Sequence, residues 1–503
     1  MVFEPNFRKV VSSVRRNIGI TQSVVELKLP TNEDATRVYS VGAKASILSV
    51  NSSEQNVGFS GLVDFQVMYQ GELVSALDYS AEFQDSYVAQ EPIMGEVVLS
   101  CNVIDVNSSV VGGGIRVVAI VETIIDEIVS KDLNVLIGVG GDSHVSTKDI
   151  CYSTYIGKAY EKFDVSGDVQ VDGALSVLMV TPCISLYGVM PKDNYMVVNG
   201  KLNLDICYTT GDSVNDIMTK YHSMDFSWEV ALEGMNSDSI VQSVVSLISN
   251  EVKVSTMIEE GVANISLFVP ISYTGYVFVE NKLEIVEDVY LERNYMSITC
   301  ENFETIRGER SVCFKDNVSG TASISETAPF IDEILGVTTN NLVLASSRVE
   351  NDKLYLEGVA NSTVVYYTKE TGDVTSVQVE MPFAVEEKVE GCESNVVTIC
   401  LENISARSKR GKEIEVSAEL NVFADMFCEQ GGCVITDVVL GEEKPQDDCA
   451  LYVYIVKSGQ TMWDVAKDVN VSQELILEQN PEVELPIKAG DKLVVYRPSV
   501  MQF

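Results

Sequence analysis

The stretch Gly61-Leu-Val-Asp-Phe-Gln-Val-Met-Tyr69 alternates apolar and polar residues and ends in an aromatic ring. In a β-strand, alternate side chains point to opposite faces, so every second residue after Gly61 falls on one apolar face. The intervening Asp64 and Gln66 then fall on the other face, which we expect to face water. The stretch therefore predicts a half-buried β-strand.

The same pattern occurs twice more, as Gly200 to Tyr208 and Gly358 to Tyr366. A glycine-containing turn signal follows each copy, as expected for a hairpin that needs positive φ. An aromatic residue comes at a comparable distance downstream, where the returning strand would reach the same core. These residues are Phe83, Phe226 and Phe383. By analogy with the first copy, four further polar side chains are expected to face water: Asn203, Asp205, Asn361 and Thr363.

Three ordered copies predict a mainly β fold with three repeated antiparallel β-sandwich or barrel-like domains. Paired strands are expected at Glu96–Val106 with Gly114–Ile124, and at Val396–Ile404 with Glu413–Phe423. Helical periodicity is limited to candidates such as Asp238 to Ser249. The predicted divisions are an N-terminal segment 1–20, β domains 21–160, 161–300 and 301–440, a polar linker 441–450, and the module 451–497.

The charge of the chain excludes some partners. Asp and Glu number 74 against 35 for Lys and Arg, and the net charge of -39 would repel nucleic acid and anionic membrane surfaces. The acidic excess fits either a solvated surface or a match to a basic partner. Met1 to Arg16 lacks the apolar core of a secretory leader, and no apolar run approaches the roughly 20 residues of a membrane helix. We therefore expect a cytoplasmic protein without membrane insertion.

Eleven cysteines are scattered along the chain, mostly in apolar strand-like runs, which fits reduced core thiols. Cys428, Cys433 and Cys449 form the nearest thing to a cluster, but they lack a CxxC pair and a nearby histidine. Metal binding is therefore not expected, whereas oxidative cross-linking between subunits stays open. The two histidines, His144 and His222, lie far apart and have no nucleophile motif beside them. The sequence predicts neither an enzyme nor a cofactor.

The last fifty residues carry a second motif, with Tyr454-Ile-Val-Lys-Ser-Gly-Gln-Thr-Met-Trp463 followed by Asn480-Pro481 and Gly490-Asp-Lys-Leu493. Thr461 can cap a first helix, with Asp464 completing a capping box. Ser472 can cap a second helix in the same way. These residues resemble a LysM module, a short β-α-α-β fold.

The LysM resemblance implies a binding groove between the loops Ser458–Met462 and Asn480–Lys488. Such grooves usually hold N-acetylglucosamine polymers, largely through backbone amides. Gln460 stands where LysM modules usually have aspartate, and Trp463 fits either a core residue or an anchor for a partner. The predicted carbohydrate-binding or partner-binding residues are Ser458, Gly459, Gln460, Thr461, Met462, Trp463, Asn480, Pro481, Leu485, Ile487 and Lys488.

The repeated domain, from about Thr21 to the linker, resembles the SPOCS domain of spore-coat-associated proteins, and two stretches illustrate the resemblance. Val25 to Val41 keeps the first proline of that family's opening, Pro30, and its valines but lacks the second proline. Phe163-Asp-Val-Ser-Gly167 is similar to the start of the middle portion of the family's domain. Several such domains followed by one LysM resemble the arrangement in clostridial spore-morphogenesis proteins.

This resemblance implies a non-catalytic adaptor in the mother-cell cytoplasm, acting at the forespore surface. The LysM module would contact a coat-basement protein of the SpoIVA type. The alternative is binding of peptidoglycan or another N-acetylglucosamine polymer of the cell or spore envelope. Self-association through exposed strand edges is a third expectation, although the sequence does not locate those edges.

Overall fold

The computed structural model describes residues 3–31, 34–210, 216–248, 251–308, 311–389, 394–445 and 451–496. In chain order the strands are β1 (Glu4–Leu29), β2 (Arg37–Ser52), β3 (Asn56–Gln70), β4 (Val74–Val88), β5 (Glu96–Val111), β6 (Gly114–Gly140), β7 (Ser143–Asp172), β8 (Ala174–Lys192), β9 (Tyr195–Thr210), β10 (Asp216–Ala231), β11 (Ile240–Leu247), β12 (Lys253–Glu259), β13 (Val262–Leu291), β14 (Asn294–Gly308), β15 (Val312–Ser323), β16 (Ile331–Glu350), β17 (Lys353–Thr368), β18 (Val374–Lys388), β19 (Ser394–Lys409), β20 (Glu413–Glu443), β21 (Leu451–Ile455) and β22 (Lys492–Tyr496), and the helices are α1 (Met462–Val469) and α2 (Gln473–Gln479).

The same strand arrangement occurs three times, which confirms the predicted mainly β, antiparallel fold. In the first repeat, a sheet ordered β1-β6-β5 faces the meander β2-β3-β4. In the second repeat, β13 pairs with β7 on one side and with β11 and β12 on the other, and the meander is β8-β9-β10. In the third repeat, β20 pairs with β14, β15 and β19, and the meander is β16-β17-β18. The domain limits inferred from the sequence remain a prediction.

The recurring glycine and aromatic residues are explained by strand pairing. Gly61 lies opposite Phe83, and the same pairing joins Gly200 to Phe226 and Gly358 to Phe383. A Cβ atom added at any of the three glycines would stand 2.4 Å from the facing phenylalanine ring. Each ring therefore occupies the space above its glycine and closes the core of its own repeat.

The prediction that the intervening polar residues face water is wrong for Asn203 and Thr363, which are 2% and 1% exposed. The reason is tertiary: Asn203 is covered by Glu402 on β19 of the third repeat, to which its Nδ2 donates over 2.9 Å, and the outer faces of the three meanders also pack against one another. Met68, Cys207 and Val365, which are seven residues after the three glycines, meet in one apolar cluster. A hydrogen bond crosses the contact between the first and second meanders, where Thr181 donates to Gln66 Oε1 over 2.7 Å.

The ends of the longest strands pack together beyond the three cores. Here β1 with β6, β7 with β13, and β14 with β20 form three two-stranded ribbons. Their apolar side chains share clusters to which every ribbon contributes, for example Leu133, Ile285 and Val434. The three repeats are therefore joined at the ribbons as well as at the meanders.

Two details of the sequence interpretation are wrong. The helix candidate at Asp238–Ser249 is instead strand β11, which pairs with β13 from Ile240 to Leu247. Its backbone completes the sheet of the second repeat, and this pairing overrides a weak local helical pattern. The expectation of reduced core thiols also fails for Cys183 on β8 and Cys400 on β19, which form a disulfide between the second and third repeats.

A buried carboxylate bridges the same two repeats. Glu402 on β19 is 3% exposed and accepts hydrogen bonds from Ser185 over 2.7 Å, Asn203 over 2.9 Å and Asn421 over 3.0 Å. Lys315 also donates to Glu402 in a short ion pair. Because each donor satisfies the carboxylate directly, burial of this charge is compensated.

A second buried carboxylate lies where the globular part of the third repeat passes into its ribbon. Asp425 on β20 accepts the Ser243 amide and the Ser311 hydroxyl, both over 2.8 Å. The side chain is 3% exposed, and burial raises its pKa to about 7 even though the serine hydrogen bonds act in the opposite direction. This carboxyl therefore titrates near neutral pH in the folded protein.

Candidate functional site

The C-terminal module folds as a two-stranded sheet covered on one face by two short helices. Strand β21 pairs antiparallel with β22, and α1 and α2 lie between them in the chain. Thr461 caps α1 and forms a capping box with Asp464, as predicted. Ser472 caps α2 by accepting the Leu475 amide, which confirms the second predicted cap. The sequence therefore specifies both helix starts correctly.

The side chain of Gln460 closes the first predicted binding loop. Its Oε1 accepts the Lys457 amide over 2.9 Å, and its Nε2 donates to Asp468 Oδ2 over 2.9 Å. The Tyr454 hydroxyl lies in the same cluster and donates to Asp468 over 2.6 Å. Gly459 takes a φ of 85°, which a residue with a side chain adopts at a cost. Glutamine thus holds the loop where LysM modules usually have aspartate.

The candidate residues of this loop differ in exposure. Ser458, Gly459 and Thr461 are exposed, whereas Met462 is 8% exposed and belongs to the core of the module. Met462 is therefore a packing residue in this structure. The other three residues are accessible to a ligand.

The second predicted loop is held to the sheet by an amide side chain. Asn480 donates to the Val494 carbonyl and accepts the Val494 amide, both over 2.7 Å, and so occupies the outer edge of β22. Pro481, Leu485 and Lys488 are exposed. Ile487, in contrast, is 9% exposed within the module core. Asn480 and Ile487 therefore have structural roles, and the exposed residues are those available for contact.

Trp463 packs within the chain, against the ribbon of the second repeat. Its indole Nε1 donates to Asp288 Oδ2 over 2.8 Å, and its ring meets Tyr290 edge-on with centroids 5.0 Å apart. Lys467, one helical turn further along α1, donates to both Asp288 oxygens over 2.6 and 2.7 Å. Asp288 follows a register shift in β13. In this arrangement Trp463 anchors its own module to the three repeats, which together form what we call the β body, the described residues from 3 to 445.

Tyr290 is a functional residue of this contact that the sequence interpretation missed. It lies on β13 but is 3% exposed and packs in the core of the module. Its hydroxyl donates to the Val471 carbonyl over 2.7 Å, and burial raises its pKa. On its other side the ring stacks on His144, whose Nε2 lies 2.9 Å from Glu292 Oε1. No short motif distinguishes Tyr290 from the other aromatic residues of the strands, so the sequence offered no signal.

The sheet face that points away from the helices is apolar and exposed. Leu451 lies opposite Tyr496, and Val453 lies opposite Val494. Their exposed fractions range from 40% for Val494 to 59% for Leu451, and Ile455 beside them is 58% exposed. We call these five residues the apolar ladder. The sequence interpretation did not recognise these exposed apolar residues as a surface.

Two family models match the chain. Residues 331–407 match the model described as SipL, SPOCS domain, and residues 454–495 match the LysM domain model. These matches confirm both resemblances. Searches of curated proteins and of solved structures gave no match.

The SPOCS match runs from β16 into β19 and so lies in the third repeat. The first and second repeats share its strand arrangement. The two matched domains associate the chain with sporulation and give it a carbohydrate-binding type of module. Both are binding or adaptor domain types rather than catalytic ones.

Two further observations concern the part of the chain that the structure describes. None of its helices is long and apolar enough to cross a membrane. Within the same residues, no group of three or more His, Cys, Asp or Glu side chains could hold a metal ion.

Proposed function

We propose that this protein is a non-catalytic adaptor of spore-coat morphogenesis, whose LysM module binds a coat-basement protein of the SpoIVA type. It would act in the mother-cell cytoplasm, at the forespore surface. The observation that carries the proposal is the apolar ladder on the LysM sheet. Contiguous exposed apolar residues of this kind mark protein interfaces more often than polar sugar sites.

The charge distribution supports the same partner class. Residues 451–496 contain seven acidic and four basic side chains, so the module carries little of the net charge of -39. A partner that approaches the apolar ladder therefore meets a nearly neutral surface, whereas the β body attracts basic segments. Desolvation of the ladder would supply the affinity, and charge would supply the orientation.

The contact of Trp463 with Asp288 supports a role for the three repeats in this proposal. They hold the module against the ribbon of the second repeat, while the apolar ladder stays on the surface. Because the module is fixed before the partner arrives, less orientational freedom is lost on binding. The β body then serves as a spacer between the partner and other coat components.

The direct test is capture of the SpoIVA-like protein of the same organism by the full chain. Val453→Asp places a charge in the centre of the apolar ladder and should weaken binding by about tenfold or more. The control is Ser458→Ala with Lys488→Ala, which alters both groove loops and should leave binding intact. Binding that persists in Val453→Asp, or fails equally in the control, would contradict this interface.

A fluorescent fusion followed during sporulation tests the proposed place of action. We expect a ring around the forespore, because an adaptor held by a coat-basement protein collects where that protein lies. A uniform cytoplasmic signal would rule out the coat assignment whatever the module binds.

Binding of peptidoglycan or another N-acetylglucosamine polymer is the second candidate function. It is favoured by the exposed loop residues Ser458, Gly459 and Thr461, which leave backbone groups of the groove accessible. It predicts that the protein sediments with purified peptidoglycan and that N-acetylglucosamine oligomers compete. If saccharide leaves the amide resonances of Ser458–Met462 unmoved, this candidate is excluded.

A further inference from the structure

Strand β12 has an open edge. All seven residues from Lys253 to Glu259 are exposed, and among the described strands β12 forms backbone pairs with β13 alone. The equivalent strand of the first repeat, β5, packs along β2 and buries Val106 to 6% exposure. Val254, at the same distance from its hairpin turn as Val106, is 42% exposed. The outer edge of β12 is therefore uncovered in the second repeat, whereas β2 covers the equivalent edge of β5 in the first repeat.

The backbone of β12 presents hydrogen-bonding groups along this open edge. Glu260 and Gly261, with φ of 50° and 81°, form the two-residue turn that joins β12 to β13. Such a turn closes on a hydrogen-bonded pair, here Glu259 with Val262, and hydrogen-bonded pairs then alternate along the ladder. The intervening residues direct their amides and carbonyls away from β13. These residues are Val254, Thr256 and Ile258.

The sequence of β12 is complementary to itself in the antiparallel direction. With a twofold axis at Thr256, Lys253 of one copy faces Glu259 of the other at both ends. Val254 then faces Ile258, and Ser255 faces Met257. Opposite charges and apolar side chains directly across an antiparallel ladder are favourable pairs.

The outward backbone groups fit the same axis. Val254, Thr256 and Ile258 are placed symmetrically about Thr256, so pairing of two copies would form about six backbone hydrogen bonds. Val254 and Ile258 lie across from Leu267 and Ala263 on β13, which belong to the buried core of the second repeat. A second copy would therefore add apolar cover beside an existing core.

From these observations we infer that β12 is a self-association edge, which pairs antiparallel with β12 of a second copy of this chain about a twofold axis at Thr256. The net charge of -39 opposes this contact at long range. The screening length is about 8 Å at physiological ionic strength, so the local pairs decide the outcome there. This edge lies in the second repeat and is independent of the partner of the LysM module.

Sedimentation velocity of the full chain in the micromolar range tests the inference. The unmodified chain should dimerise, and Glu259→Lys should weaken dimerisation by about tenfold because lysines then face each other at both ends. Adding Lys253→Glu to that variant should restore the dimer. A chain that stays monomeric, or a double variant as weak as the single one, would overturn the inference.

Thr256→Pro tests the role of the backbone. Proline removes the outward amide of Thr256, while the hydrogen bonds between β12 and β13 stay intact, as edge strands tolerate. The matched control is Ser108→Pro, at the same distance from the hairpin turn in β5. Only Thr256→Pro should abolish the dimer, with circular dichroism unchanged in both. Equal loss in both variants, or in neither, would contradict the assignment to β12.

Discussion

The indole N–H of Trp463 donates to Asp288 Oδ2 over 2.8 Å and so joins the C-terminal module to the ribbon of the second repeat. The same carboxylate accepts Lys467, and the adjacent Tyr290 enters the core of the module. A tryptophan weighed from the sequence as core residue or partner anchor therefore anchors to its own chain. The orientation of the module follows from this contact.

Replacement of Tyr290 should release the module. Tyr290→Ala removes a ring that is 3% exposed, together with its bond to the Val471 carbonyl, and should cost about 3 kcal/mol or more. Trp463 then meets water, so its fluorescence should shift to longer wavelength. The measurement is made in a Trp228→Phe background, because the chain has two tryptophans.

Lys467→Ala is the matched control for that release. The Lys467 side chain is 41% exposed, so its ion pair with Asp288 should contribute less than about 1 kcal/mol. Tryptophan emission should then stay close to that of the unmodified chain. An equal spectral shift in Lys467→Ala would show that charge, rather than burial of Tyr290, holds the module.

The sequence predicted features that depend on local pattern. The alternation after Gly61 identified the buried face of β3, and the hydroxyl of Thr461 identified the start of α1. The alternation did not predict burial where another part of the chain packs on the outer face of the strand. Asn203 reads as a solvent-facing residue because the period of two specifies which residues share a face, not what covers that face.

The candidate site shows the same division. The helix caps of the module were predicted because capping chemistry is local, whereas its two loops were inferred from the resemblance to LysM modules. The contact of Trp463 with Asp288 joins residues separated by 175 positions in the chain. No local sequence pattern around either residue predicts that the two are in contact. Gln460 stands where LysM modules usually have aspartate, and its longer side chain closes the loop by reaching both Lys457 and Asp468.

Stability at low pH should depend on Glu402. Burial alone would raise the pKa of this carboxyl, but hydrogen bonds from Lys315, Ser185 and Asn421 lower it to about 2, below the ordinary value of 4.5. The ionised form is therefore favoured by folding, so its contribution is complete above pH 4.5 and is lost as the pH falls through about 2.

Glu402→Gln should remove this dependence and cost about 3 kcal/mol at neutral pH, because the neutral amide lacks the stabilisation that lowers the pKa of Glu402 from 4.5 to about 2, at about 1.4 kcal/mol per pKa unit. Urea unfolding at several pH values from about 3 to 7 measures both effects. If the free energies of unfolding of the unmodified chain and of Glu402→Gln differ by the same amount at pH 3 and at pH 7, the assigned role of Glu402 is contradicted.

Asp425 should have the opposite pH dependence. Burial raises its pKa to about 7 from the ordinary 3.8, so folding favours the protonated form. Its contribution to stability is complete below about pH 3.8 and is lost as the pH rises through about 7. Asp425→Asn should flatten this segment of the curve and make the protein relatively more stable at pH 8. A variant with the unmodified slope between pH 4 and 7 would exclude Asp425 as its source.

Gly320 should tolerate no side chain. A Cβ atom there would stand 2.0 Å from the Glu380 carbonyl oxygen, where β15 passes close to β18 and closes the third repeat. Gly320→Ala should therefore destabilise the protein by about 1 to 3 kcal/mol. Gly138→Ala is the control, since a Cβ atom at Gly138 meets no atom within 4 Å. Thermal unfolding compares the two variants, and equal midpoints would contradict the close approach of the strands.

Gln460 should control the first loop of the module through its length. Gln460→Ala leaves the Lys457 amide without its acceptor, and hydrogen exchange at that amide should accelerate by about fivefold, since a net hydrogen bond contributes about 1 kcal/mol. Gln460→Asp keeps an acceptor near Lys457 but loses the donor to Asp468 and places two carboxylates in one cluster. We therefore expect protection at Lys457 in Gln460→Asp, together with a lower free energy of unfolding of the module at neutral pH than at pH 4. Equal exchange at Lys457 in the alanine and aspartate variants would show that the loop is held by its backbone rather than by residue 460.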